Sequence, residues 1–260
     1  MMTGMEANSR PSVPRTARER ARAEIMTEIL DSGRRQLADE GAAGLSLRAI
    51  ARDLGMVSSA VYRYVASRDE LLTRLIIDAY NSLGAAAEER EAAVDRTDLT
   101  GRWAAVCRAV RDWALRNPNE YALIYGSPVP GYAAPEDTIG PASRVSILLV
   151  QILLEAAPQA ATPHSPTTPP GSSPAPFTPG PPPAGWRDAL GPVRAVFPAE
   201  ISDSAIQTGL MVWAGLFGVV SFELFGQFHN VVSDQPGDRE AFFTECIHRW
   251  ATQLGLPGRA

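Results

Sequence analysis

Apolar side chains recur along this chain mainly at helical spacing. Between Leu45 and Leu72 the pattern predicts a short helix, a glycine turn, a second short helix and the capped start of a third. Leu47, Ile50, Ala51 and Leu54 fall at i, i+3, i+4 and i+7, one buried stripe of a helix that Ser46 can cap. Gly55 follows directly and suits the left-handed position past a helix end. Ser58 and Ser59 open the next helix, with Ser58 as the expected cap. Val61 and Val65 then face inward and leave Tyr62, Arg63 and Tyr64 outside. Ser67-Arg68-Asp69-Glu70 reads as a capping box, Ser67 at N-cap and Glu70 at N3. Leu71, Leu72, Leu75, Ile76 and Ala79 carry the third helix inward. This is the layout of a helix-turn-helix, whose second helix lies in the major groove of duplex DNA.

Further along, Trp103, Cys107, Val110, Trp113 and Ala114 share one stripe of a helix ending near Asn117. Pro118 then suits the first position of a new helix, which carries Tyr121, Ile124 and Tyr125. A loop follows from Gly126 to Tyr132, and then an apolar helix over about 138–156. Ala205 to Phe222 has 18 residues without a charge, formally long enough for a membrane span. Gln207, Thr208 and Ser221 interrupt it, and no basic residue anchors either end. It is therefore expected to be a central helix over 204–228, buried on most sides. The last helix, Asp238 to about Leu254, carries a stripe of Phe243, Ile247, Trp250 and Leu254.

Composition separates these regions. From Pro158 to Pro183 there are 11 prolines in 26 residues and no charge, which predicts a disordered loop over 157–185. All 24 basic residues are arginine and the net charge is −5, which is unpromising for a DNA binder until it is divided along the chain. Residues 1–75 hold 12 arginines and 10 acids, or +2; the remainder holds 12 and 19, or −7. A local positive face is what nucleic acid requires. Residues 1–17 read as a disordered basic arm, and no signal peptide is visible. Cys107 and Cys246 are expected to be reduced and buried.

Catalysis finds little support. There is no Gly-x-Ser-x-Gly elbow, no P-loop and no dinucleotide turn. His164 lies in the proline tract, and His248 and Cys246 are an i, i+2 pair that shares no helix face; no cluster has zinc-ligand spacing. No cofactor, metal or membrane partner is expected.

The reader segment resembles the N-terminal domain of the TetR family of transcriptional repressors. The resemblance rests on Asp39-Glu40-Gly41, Ser46, Ile50-Ala51, Tyr62-Arg63-Tyr64-Val65, Arg68 and Glu70-Leu71-Leu72. Tyr64 stands where the family commonly has His, Val65 where it has Phe, Arg68 where it has Lys, and Met56-Val57 replaces the usual Val-Ser. YALIYGSPVPGY together with Trp213-x-x-Leu216-Phe217-Gly218 is similar to a C-terminal subclass with a Trp-His-Gly-like signature, Phe217 taking the usual place of His. The resemblance implies an all-α fold: a DNA-binding domain over 18–66 and a ligand-binding and dimerisation domain over 67–260. It implies a cytoplasmic homodimer joined through the 204–228 and 238–254 helices, acting as a ligand-responsive repressor on a near-palindromic operator. Ser58, Ser59, Ala60 and Arg63 would face base edges, and Ser46, Arg48, Tyr62, Tyr64 and Arg68 would grip phosphates. Trp103, Cys107, Trp113, Tyr121, Tyr125, Trp213 and Phe217 would line a site for a small apolar or aromatic effector. The alternatives are an activator or a ligand-independent DNA-binding regulator of the same fold, and a helical small-molecule-binding protein without a DNA role.

Overall fold

The computed structural model describes residues 16–156, 185–194, 202–235 and 237–256, and every regular element among them is helical. The proline-rich tract, His164 and most of the expected N-terminal arm lie outside the described residues. Two compact units form. One takes in the chain up to Ile76 together with Ser127–Ala134; the other takes in Ile77–Gly126 and the chain from Pro135 onward. We call them the reader unit and the control unit.

In the reader unit, α1 spans Ala17–Glu40, α2 Leu47–Asp53 and α3 Ser58–Val61, and α4, Arg68–Ala92, runs on through the division between units. Thr16, expected in the arm, instead caps α1: its hydroxyl accepts from Glu19 N–H, and the Glu19 carboxylate accepts from Thr16 N–H. The core is apolar and small, with Ile29, Ile50, Val61, Val65, Leu71 and Leu72 fully buried. A Cβ on Gly33 would lie 3.3 Å from the Leu75 side chain, so α1 and α4 pack closely there. The Ser127–Ala134 segment belongs to this unit although it is inserted between two helices of the other, and Tyr132 and Thr73 share a hydroxyl–hydroxyl hydrogen bond of 2.8 Å.

In the control unit, α5 (Leu99–Arg116) is the central helix, buried on almost every side. Around it are grouped α6 (Pro118–Tyr125), α7 (Ile139–Ala156), α10 (Asp203–Leu224) and α11 (Asp238–Gln253); two single turns, α8 (Trp186–Ala189) and α9 (Gly191–Arg194), complete the described helices. The central helix was expected to be the long apolar one over 204–228. Instead α10 ends at Leu224 and is buried along one face only, through Ile206, Val212, Leu216, Phe217 and Val220. Met211, Trp213 and Phe222 on its other side are 67%, 40% and 53% exposed. A single chain has too few elements to cover both faces, so apolarity alone misplaced the helix. The α10 and Glu136–Ala156 segments are long and apolar enough to cross a membrane by composition. At Gly215 a Cβ would lie 3.2 Å from the Trp250 indole, so α10 and α11 pack tightly at that point.

Buried charge also binds the control unit. Arg102 is 1% exposed and donates to Glu91 at 2.5 Å and to Glu155, tying α5 to α4 and α7. Arg111 donates two bonds of 2.7 Å to Glu223 and a further one to Glu240, tying α5 to α10 and α11. Cys107 is fully buried and burial pushes its thiol up; Cys246 is half-buried rather than buried, and both are free.

Candidate nucleic-acid interface and aromatic cluster

Local capping sets the reader's surface. Ser46 caps α2 as expected, accepting from Ala49 N–H at 3.3 Å, and its own N–H donates to the Gln36 side chain at 2.9 Å. Gly55 takes φ 62 and ends α2, with Met56 N–H bonding back to Ala51. The next cap differs from expectation. The N-cap of α3 is Val57, which offers no side-chain acceptor, and Ser58 is already helical. Val57 is 71% exposed. The αL turn at Gly55 leaves room for only two extended residues before the helix, so the cap falls one position earlier. The box at α4 also shifts. Ser67 accepts from Glu70 N–H at 3.0 Å as predicted, but the Glu70 carboxylate reaches Ala66 N–H at 2.7 Å. That bond first, and Arg74 second, hold the Glu70 carboxyl below the usual carboxylate range.

The predicted interface residues fall on one run of the reader. Arg48, Ser58, Ser59, Tyr62 and Arg63 are exposed, while Ser46, Ala60, Tyr64 and Arg68 are half-buried. Val61 and Val65 are fully buried, which turns the intervening Tyr62–Tyr64 outward. α3 is a single turn, and Tyr62–Tyr64 continue it as hydrogen-bonded turn rather than helix. Arg68 is partly committed to its own unit, donating to the Ala42 carbonyl at 2.7 Å. Arg48 and Arg63 have no carboxylate partner among the described residues. Elsewhere on the reader, Arg35 and Ser32 both donate to Asp53 at 2.6 Å and lower its carboxyl, Ser32 contributing most.

The seven predicted effector residues separate into two groups. Trp103, Cys107 and Trp113 are packed along α5. The indole of Trp103 donates to the Ile247 carbonyl at 3.1 Å, and that of Trp113 donates to Ser82 at 2.9 Å. Tyr121, Tyr125, Phe217 and Trp213 instead come together as a row of rings. Centroids are 5.0 Å apart for Tyr121–Tyr125, 4.4 Å for Tyr125–Phe217 and 5.5 Å for Trp213–Phe217. Tyr80 and Phe225 extend it, at 6.0 Å from Tyr125 and 6.2 Å from Tyr121. Sequence reading missed these two; Tyr80 follows the core stripe of α4 by one residue, and Phe225 sits just past a helix end.

The two phenols at the centre differ in their bonding. Tyr121 is buried, donates to the Phe217 carbonyl at 3.1 Å and meets the Ser221 hydroxyl at 2.9 Å; burial pushes its phenol up to about 12. The Tyr125 hydroxyl has no hydrogen-bond partner among the described residues, and burial, then its Tyr80 and Tyr121 neighbours, raise its phenol further. Among the described residues no group of His, Cys, Asp and Glu could hold a metal ion.

Comparison with known proteins finds two family models along the chain. Residues 29–75 match the model of the bacterial regulatory proteins of the tetR family, and residues 103–250 match the tetracyclin repressor-like C-terminal domain. The HTH-type transcriptional regulators Rv1816 of Mycobacterium tuberculosis and Mb1846 of Mycobacterium bovis are each 43% identical over 225 residues, covering 85% of this chain and 89% of theirs. The crystal structure of the regulatory protein SCO4313 superposes with a TM-score of 0.69 at 32% identity, covering 91% of this chain and all of that one. The TetR family regulator PfmR of Thermus thermophilus shares the fold, with a TM-score of 0.51 at 17% identity over 89% of this chain and 99% of its own. The relatives are named as regulators of transcription, not as enzymes. This chain belongs to the TetR family of DNA-binding transcriptional regulators.

Proposed function

We propose that the protein is a cytoplasmic, ligand-responsive repressor that binds a near-palindromic operator as a homodimer and is released by a small apolar or aromatic effector. The observation that carries the DNA side is that Arg48, Arg52 and Arg63 are exposed and lack carboxylate partners among the described residues. Ser58, Ser59, Ala60 and Arg63 would reach base edges, and Ser46, Arg48, Tyr62, Tyr64 and Arg68 would hold phosphates. Arg68 is the weakest of these because it already serves Ala42.

The exposed apolar face of α10, with Phe242 of α11, suits a second copy of the chain, and a two-fold dimer presents two readers to two half-sites. The effector would sit at the ring row of Tyr121, Tyr125, Trp213 and Phe217, where the Tyr125 hydroxyl offers one polar contact within apolar walls. Trp103, Cys107 and Trp113 would support that site from the core. Effector binding shifts the population toward a state whose readers are badly spaced for DNA, a coupling of about 1–3 kcal/mol.

An electrophoretic shift on the DNA upstream of the protein's own gene tests the DNA side. A retarded complex is expected, and no complex at low salt defeats the reading. Deleting the gene and measuring neighbouring transcripts separates repressor from activator: repression requires them to rise.

A further inference from the structure

The first two turns of α1 stand outside the reader's core. Ala17 to Glu24 are all exposed, and Ile29 is the first buried residue of the helix. Local forces keep this segment helical: alanine, arginine and glutamate are strong helix formers, and the Thr16–Glu19 box closes the start. The segment carries Arg18, Arg20 and Arg22, none of which meets a carboxylate among the described residues. Arg18 and Arg22 lie on one face, about 6 Å apart along the axis. Like charges at that spacing repel one another.

One contact links this segment to the interface. The Arg22 guanidinium lies over the Tyr64 ring, 5.0 Å from its centroid. Tyr64 closes the turn after α3, next to Arg63, so the arginine row of α1 continues the surface of the recognition segment. A guanidinium stacked on a ring uses its flat face and keeps its in-plane N–H donors for another partner. The stack also restricts a long side chain before any phosphate arrives.

We propose that the exposed start of α1 is a second DNA-contacting element, in which Arg18 and Arg22 grip duplex phosphates and the Tyr64 ring holds Arg22 in position. Duplex DNA is the occupant because Arg18 and Arg22 share a face, meet no carboxylate among the described residues and are continuous with the recognition segment through Tyr64. The proposal rests on the DNA-binding reading above. Arg20 points away from this face and supplies an internal control of equal charge.

The test is fluorescence anisotropy on the upstream duplex and on a random duplex of equal length, over a range of salt. The Arg18→Ala/Arg22→Ala variant is expected to bind both at least tenfold more weakly, with its preference between them unchanged. Its slope of log affinity against log salt should fall by about one per lost contact, about two per protomer. Adding Arg22→Ala to Tyr64→Leu should cost little further, whereas adding it to Tyr64→Phe, which keeps the ring and loses only the hydroxyl, should cost its full effect; Arg20→Ala should keep the wild-type slope. Melting temperature should not change in the arginine variants, since those side chains are exposed. An unchanged slope in the double variant, or an equal fall in Arg20→Ala, overturns the proposal and leaves the DNA-binding reading intact. Failure of the wild type to bind either duplex overturns both.

Discussion

In the control unit Arg90, Arg96, Arg102, Arg111, Arg144, Arg239 and Arg249 each lie against a carboxylate. In the reader unit Arg18, Arg20, Arg22, Arg48, Arg52 and Arg63 meet none among the described residues, while Arg34, Arg35, Arg68 and Arg74 do. One residue type therefore serves two purposes. In the control unit Arg102 and Arg111 orient helices through carboxylates drawn from other elements, and burial makes those pairs costly to break. In the reader Asp31, Asp53, Asp69 and Glu70 take up Arg34, Arg35, Arg68 and Arg74. The cations left over have phosphate as their available counter-charge. An overall charge of −5 conceals this arrangement, because affinity follows where the unpaired cations lie.

Removing a paired arginine should produce the largest effect. Arg102→Ala leaves Glu91, itself 4% exposed, with only the surface Arg96, and should cost about 3 kcal/mol in denaturant unfolding. Removing an unpaired one should leave stability alone and appear in binding. Arg63→Ala should weaken specific binding by about 1–3 kcal/mol while random DNA is bound almost as before. Equal loss on both duplexes would make Arg63 a phosphate contact instead.

Smaller effects test the frame around the cations. Val57→Ser supplies the missing cap of α3 and should stabilise the reader by about 0.5–1 kcal/mol in chemical denaturation. The lowered carboxyls of Asp53 and Glu70 favour the folded state fully above their ordinary range, about pH 4. That support is lost as pH falls through the lowered values. Melting of the reader should therefore drop as pH falls below about 4, and Asp53→Asn should flatten the fall.

What was legible in the sequence was local. Ser46 with Ala49, Gly55 after Leu54, Pro118 at a helix start and the inward pair Val61 and Val65 act within one or two turns, and the structure has them in place. What was hidden depends on distant partners. Arg102 and Arg111 look solvent-facing in the sequence of α5, yet their carboxylates come from helices as far as 129 residues away. α10 reads as a core helix because composition reports apolarity without saying which surface satisfies it. Of the seven expected effector residues, the rings on α6 and α10 meet, while the indoles on α5 hydrogen-bond within the packed unit.

The hydrogen bond between Thr73 and Tyr132 joins residues 59 positions apart, with all of α5 and α6 made in between. Synthesis runs from the N-terminus at about 5–20 residues per second, so a nascent reader waits about 3–12 seconds for its last segment. A fragment cut at Ile76, the obvious way to isolate the reader, would lack that segment permanently. The DNA-binding unit of this protein is finished only after the Ile77–Gly126 part of its control unit has been made.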